Sequence, residues 1–458
     1  MSETLSRRAF LASATTGALM AGCATVKVNT ARVVPGRLSP NAKLNIAGIG
    51  VGGMGKANLD ASSTENITAL CDVDDAYAAK TYAAYPNARR FTDFRKMFDA
   101  MEKEIDAVIV ATPDHNHAVT AIAAMRHGKH VYCQKPLAHS LHEVRTLIET
   151  ARECGVQTQM GNQGHSSEES RRLCEWIQDG AIGPVREVHA WSDRPVGGDP
   201  WSTFPVVRRP DDTPPVPPTL DWDLWLGPAK KRPYNPVYCP LTWRGWYDFG
   251  TGALGDMGCH ILDPSFWGLK LGHPTSVQAT TTHWEKPVET ETFPRASIVR
   301  YEFPARGKMP PVRLTWYDGR LMPPIPRDFA PGQKFDSNGA LLIGDKGTIL
   351  HKSHGAGGLT LLPKAHAAEY RQPAKTLPRV KSGNGAHEQD WIRACKDGNP
   401  ASSNFEYGGA LTEMVLLGVL AMRLKDRKLL WDGPAFRFTN DEEANALVNP
   451  PYENGWTL

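Results

Sequence analysis

From Lys43 onward the chain opens with short apolar runs separated by longer stretches of mixed polarity. Residues 44–49, 67–71, 107–111 and 130–133 have the length and composition of buried strands, and residues from about 118 to 126 have helical spacing between the last two. Strands that alternate with helices predict a doubly wound parallel sheet, an α/β Rossmann arrangement whose ligands bind beyond the carboxyl ends of the strands. The pattern then changes. Residues 185–191, 276–279, 297–301 and 312–316 read as further strands, although only the last alternates cleanly. Proline-rich stretches near 205–240 and 303–335 read as loops, with the 312–316 strand inside the second. Helical periodicity returns at 387–395 and 411–424, and these helices are expected to pack back on the body. The predicted organisation is a leader and linker over 1–42, a nucleotide-binding domain over 43–163, a substrate and oligomerisation domain over 164–435, and a tail over 436–458.

Composition narrows the partners. The 458 residues are 41% hydrophobic, enough for two domains with a sizeable core, and the formal charge of +3 comes without a basic run. That balance argues against nucleic acid or a membrane surface as a partner and for a small molecule. Thirty-six prolines and 13 tryptophans point to long ordered loops, and six of those tryptophans fall between Trp191 and Trp246. A loop tryptophan either stacks on a sugar face or anchors the loop. The eight cysteines show no CxxC pair and no metal-finger spacing, so neither a disulfide framework nor a metal is expected. Cys71 and Cys133 sit in strand-like runs, where a free thiol serves as a small buried hydrophobe.

At the N-terminus, Ser6-Arg7-Arg8-Ala9-Phe10-Leu11 precedes an alanine-rich run that ends at Gly22-Cys23. The pair resembles the twin-arginine signal, whose transporter exports folded proteins, so a periplasmic or exported enzyme is expected. Met20-Ala21-Gly22-Cys23 is similar to a lipoprotein cleavage box, with methionine in place of the usual leucine. A lipid anchor at Cys23 is therefore an open expectation.

Gly50-Val51-Gly52-Gly53-Met54-Gly55 is a G-x-G-x-x-G turn between a strand and a helical run. Asp72, at the end of the next strand, lies 22 positions beyond Gly50, the distance at which a carboxylate meets ribose hydroxyls. With Asp74 and Asp75 close by and no arginine beside it, it favours NAD over NADP; a solvated turn acid is the alternative. Lys135 follows a strand and precedes Pro136, placing a cation where ligands bind. Asn162 and Gln163 follow a strand ending at Met160 and either face the nicotinamide or form a buried turn. Arg244, Tyr247 and Asp248 are substrate-contact candidates or ordinary loop polarity. Asp256 and His260 are one helical turn apart, so a carboxylate could orient an imidazole, or a core histidine could be satisfied there.

The order G-x-G-x-x-G, A-T-P-x-x-x-H, Q-K-P and G-D-M-G-x-H-x-x-D resembles the glucose–fructose oxidoreductase, inositol dehydrogenase and rhizopine-catabolism family, over most of the chain after residue 43. The resemblance implies a second, α+β domain on a large, mainly antiparallel sheet. It also implies that Lys135 works with Asp256 and His260. A bound, tightly held NAD would lie on Gly50, Gly52, Gly53, Met54, Gly55, Asp72, Thr112, Pro113, His117, Gln134 and Asn162, and the substrate on Gln163, Arg244, Tyr247 and Asp248. Gln134 departs from the pattern, where glutamate is usual. In alcohol oxidation His260 would take the proton, Lys135 would stabilise charge on oxygen, and Asp256 would hold the imidazole and favour its protonated form. The expected function is an exported NAD-dependent oxidoreductase acting on a sugar or glycoside hydroxyl, with carbon 3 as one candidate position, in a homo-oligomer. Two alternatives stand: a glycosidase that oxidises, eliminates, hydrates and reduces, and a silent sugar- or nucleotide-binding protein.

Overall fold

The computed structural model describes residues 42–458 except 284–285, 328, 330–331, 382 and 384. The arginine pair Arg7-Arg8 and Cys23 lie outside the described residues.

The early apolar runs form β1 (Asn45–Ile49), β2 (Asn66–Cys71), β3 (Arg89–Phe91), β4 (Ala107–Val110), β5 (His130–Gln134) and β6 (Thr158–Gly161). They pair in the order β3-β2-β1-β4-β5-β6, all parallel. β4 and β5 are buried at every position, as strands covered on both faces must be. Cys71 and Cys133 are buried free thiols in β2 and β5.

Beyond residue 184 come β7 (Val185–Trp191), β8 (Ser276–Thr281), β9 (Ser297–Phe303), β10 (Val312–Tyr317), β11 (Gly339–Gly344), β12 (Thr348–Lys352), β13 (Thr360–Leu362), β14 (Lys428–Asp432) and β15 (Arg437–Phe438). Among the described residues these nine form one sheet in the order β13-β12-β11-β7-β10-β9-β8-β14-β15. It is antiparallel except where β10 runs parallel to β7. The sequence pattern did not anticipate β11–β15. Those strands are short and broken by Gly344, Gly347 and Gly433, which leaves little periodicity to read.

The helix Phe405–Arg423 joins the two sheets, touching β6 as well as β8 and β9 and the helices Leu141–Cys154 and Gly252–Ile261. A continuous core therefore runs from Val110, Val131 and Met160 through Leu411 and Met414 to Val188, Leu314 and Leu342. The stretch near 205–240 is mostly loop, with a short helix, Trp222–Leu226. Trp222, Trp225, Tyr238, Trp246 and Phe249 give it a core of its own. It is fastened to the end of β2, since Asp221 N–H donates to the Val73 carbonyl at 2.8 Å and Asp75 N–H to that of Thr219 at 2.9 Å. The last residues are fastened too. Asn454 donates to the carbonyls of Gly227 and Ala229, and Trp456 packs on Phe94 with Arg95 over its ring at 4.6 Å.

Candidate active site

A cavity of about 430 Å³ lies beyond the carboxyl ends of the parallel strands, bounded on its other sides by the 201–244 loop, the helix Gly252–Ile261 and Trp456. At one end is the glycine turn. Gly50 has φ +76°, and a Cβ there would lie 2.7 Å from the backbone of Ala111 and Thr112; at Gly52 it would lie 2.1 Å from the Tyr77 ring. Only glycine lets the backbone pass this closely. Gly53 caps the helix Met54–Ala61, and Gly55 lies against the Gly50 carbonyl. The turn therefore fits a pyrophosphate, which needs backbone N–H groups within reach. Asp72 accepts from Val51 N–H at 2.7 Å and Gly52 N–H at 3.1 Å through one oxygen, and from Asp74 N–H at 3.0 Å through the other. Burial pushes its carboxyl up to about 6 despite these bonds.

His117 wedges between the carbonyls of Thr112 and Pro136, each 2.8 Å from a ring nitrogen, so the turn after β4 fixes the segment that carries Lys135. Gln134 donates to Asn58 Oδ1 at 2.8 Å, and Asn58 donates to the buried Glu388 at 2.7 Å. A carboxylate thus stands behind Gln134 through one intermediary. Lys135 Nζ donates to Asp256 Oδ1 at 2.7 Å and to its carbonyl at 2.8 Å.

Asp256 and His260 do share a face of the helix Gly252–Ile261, but Asp256 does not hold the imidazole. Its Oδ2 takes Arg194, and its Oδ1 takes Lys135 and, at 3.3 Å, Arg244 Nε. Burial alone would raise its pKa; the charges of Lys135, Arg194 and Arg244 instead hold it well below the usual carboxylate range. His260 packs against His354, ring centres 4.1 Å apart, and its Nδ1 meets no protein partner among the described residues. Burial, with His354 and Lys135 nearby, pushes its pKa well below the ordinary value, so the ring is neutral. His354 is lowered to about 4, by burial first and then by Lys135 and Arg194.

Met54, Thr112, Pro113, Gln163 and Arg244 also line this cavity. Gln163 donates to the Tyr132 hydroxyl at 3.2 Å. Three expected residues lie elsewhere. Asn162 points inward, away from the cavity wall that Gln163 forms, and accepts from Ser403 Oγ at 2.7 Å. Tyr247 is buried with its ring centre 4.1 Å from that of Phe293, and Asp248 is ion-paired to Arg232. Both belong to the segment leading into the helix, where the ring and the carboxylate find their partners away from the cavity.

Residues that sequence reasoning did not single out complete the site. Arg194 and His354 each lie just past a strand end as Lys135 does; for Arg194, after the predicted strand β7, that placement was the available signal, whereas β12, which precedes His354, was not legible. Asp114 lines the cavity and accepts from Thr251 Oγ1 at 2.6 Å; burial raises it to about 6. Trp201, Trp225 and Trp243 line the cavity, Trp225 and Trp243 while also packing in the loop's core, whereas Trp222 and Trp246 anchor the loop.

Comparison with known proteins agrees with this layout. Residues 44–162 match the oxidoreductase family's NAD-binding Rossmann fold, and residues 177–292 match that family's C-terminal alpha/beta domain. Levoglucosan dehydrogenase of Pseudarthrobacter phenanthrenivorans is 24% identical over 261 residues, which are 54% of this chain and 56% of that protein. A glycosyl hydrolase family 109 protein of Solibacter usitatus is 31% identical over 161 residues, 32% of this chain and 37% of that protein. The chain thus spans about half, or less, of the length of these curated relatives. The solved structure of WlbA dehydrogenase from Bordetella pertussis, in complex with NADH and UDP-GlcNAcA, superposes with a TM-score of 0.58 over 85% of this chain and 99% of that one. At 15% identity that likeness is one of fold. With both domains matched and the two sheets in place, the chain belongs to the glucose–fructose oxidoreductase, inositol dehydrogenase and rhizopine-catabolism family of oxidoreductases, and its first domain is the family's NAD-binding Rossmann domain.

Proposed function

We propose that the protein is an NAD-dependent oxidoreductase acting on a ring hydroxyl of a sugar or glycoside, exported with its cofactor already in place. The observation that carries this reading is the meeting of a charged Lys135–Asp256 pair and a neutral His260 in the same cavity as the glycine turn and Asp72. Bound NAD supplies the hydride acceptor. The glycine turn brings the N-terminus of the helix Met54–Ala61 to the pyrophosphate end, and Asp72, which holds that turn through the Val51 and Gly52 N–H groups, offers its carboxylate to the ribose hydroxyls. His260, being neutral, accepts the hydroxyl proton on a ring nitrogen. Lys135, held by Asp256, presents its ammonium to the oxygen on which charge develops. Asp256 therefore orients the lysine and balances its charge. The 201–244 loop and Trp456 line the cavity beside the cofactor end, and slow loss of the cofactor would suit an enzyme working where NAD is not replenished.

Oxidation at carbon 3 is the version that also opens a glycosidase cycle, since a ketone there acidifies the carbon 2 proton and permits elimination of the aglycone. Similarity to a glycosyl hydrolase family 109 protein favours keeping this second reading. Its extra acid or base would be Asp114 or His354, because Tyr247 and Asp248 are engaged elsewhere. Incubating purified protein without added cofactor with free sugars and aryl glycosides tests both. Keto-sugar or NADH without aglycone release is the expected result. Aglycone release without net NADH selects the glycosidase, and no turnover on any sugar rejects both. Export is tested separately: Arg7→Lys with Arg8→Lys should strand the precursor in the cytoplasm, and normal export of that variant rejects the twin-arginine route.

A further inference from the structure

Three cations gather around one buried carboxylate in the cavity. Lys135, Arg194 and Arg244 converge on Asp256, and the other acid at this end is Asp114. His260 and His354 are neutral and add nothing. The three cations share one carboxylate, Asp256, and differ in how many of their donors it uses.

Geometry identifies which cation has donors to spare. Lys135 spends two of its three donors on Asp256. Arg244 lies over Trp243 at 4.2 Å and Trp201 at 5.7 Å and donates to the Leu241 carbonyl. Trp201 in turn sits beside the glycine turn, 3.5 Å from where a Cβ on Gly53 would be, so Arg244 belongs to the layer over the cofactor end. Arg194 is different. Its guanidinium, with five N–H donors, makes one side-chain contact among the described residues, to Asp256 Oδ2. The side chain keeps 20% exposure and borders the cavity beside His260 and His354. Asp199, the other acid in its field, is at the surface and already accepts from Ser202 and the Trp201 N–H. The backbone of Arg194 is pinned, with its carbonyl accepting from Gly319 N–H at 2.7 Å. A fixed, half-used guanidinium fork next to the proton acceptor is built for a planar anion.

We infer that Arg194 forms an anion subsite and that the sugar taken by this enzyme carries a carboxylate, as a hexuronic acid or its glycoside does. The inference rests on the sugar oxidoreductase reading for the place of the substrate. A carboxylate matches the fork with two oxygens in one plane, as the paired N–H donors of a guanidinium require.

Binding and turnover are measured separately so that the two readings fail separately. Holoenzyme is titrated with matched pairs, D-glucuronate and D-glucose, D-galacturonate and D-galactose, and with glucose 6-phosphate, following tryptophan fluorescence from Trp201 and Trp243. At least one uronate should bind about tenfold or more tightly than its neutral partner, the scale of one hydrogen bond to a charged group. R194Q should erase that ratio, and R194K, which keeps the charge but not the fork, should reduce it. General damage through Asp256 would weaken both members of a pair and leave their ratio intact, which would overturn the subsite. So would the absence of any uronate preference in the natural protein, or a phosphate bound as tightly as the best uronate. A uronate preference that depends on Arg194, found with no NADH or keto-product from any sugar, keeps the subsite and rejects the oxidoreductase reading instead.

Discussion

The two ends of the cavity are built by opposite means. The cofactor end comes from one contiguous stretch of βα units and works through backbone: glycine positions, N–H groups and one carboxylate that caps them. The catalytic end gathers Lys135, Arg194, Arg244, Asp256, His260 and His354 from five separate segments and works through charge. Local sequence can dictate the first end. The second exists only when the nine-stranded sheet and the Gly252–Ile261 helix have docked on the first domain.

The contrast predicts different failures. Asp256→Asn should have the largest effect, because Lys135, Arg194 and Arg244 lose their shared carboxylate; a cost of about 3–5 kcal/mol is expected for breaking such a buried network. Denaturant unfolding reads it, and an unchanged midpoint would mean that the cations do not depend on Asp256. Gly50→Ala comes next, with about 1–3 kcal/mol of backbone strain plus a collision with Ala111 and Thr112. Its control is Gly155→Ala, where φ is +64° but a Cβ meets nothing within 4 Å. Equal losses of stability and bound NAD in both variants would remove the close-approach argument.

Asp72→Asn should leave the protein folded but with less bound nucleotide after purification, and the loop should loosen as Val51 and Gly52 lose a charged acceptor. The same group gives a signed pH effect. Its folded pKa of about 6 exceeds the ordinary 3.8, so proton uptake as pH falls below about 6 favours the folded state. Acidification from pH 7.5 to 5 should therefore release NAD without Asp72 contributing to unfolding. Retention that is flat across that range in the natural protein would take Asp72 out of ribose binding. The smallest effect is expected from Trp456→Ala, where loss of one aromatic contact of about 1 kcal/mol should speed nucleotide release severalfold. Release at the natural rate would show that the C-terminal residues do not help to close the cavity.

The contrast also explains what the sequence could tell. The parallel sheet, the glycine turn, Asp72 and Lys135 were legible because each is set by spacing within one or two elements. Asp256 and His260 were legible as a pair, and His260 in the role proposed for it, but the role of Asp256 was not. Helical spacing put them on one face, yet the partners of Asp256 come from Lys135, Arg194 and Arg244, which no local pattern connects to it. Asn162 and Gln163 show the same limit at one-residue resolution: neighbours in a turn point opposite ways, and only Gln163 reaches the cavity. Arg194 and His354 emerge from loops after β7 and β12, and β12 itself was hidden by weak alternation.

The central claim is that His260 is the proton acceptor in a site powered by the Lys135–Asp256 pair. Turnover per folded molecule in His260→Ala, measured together with its thermal midpoint and with Lys135→Met alongside, tests it most directly. The account predicts a fall on the order of 10² to 10⁴ in turnover with bound NAD and folding retained in both variants. Near-normal turnover in His260→Ala, or activity lost only in step with folded protein, would contradict it.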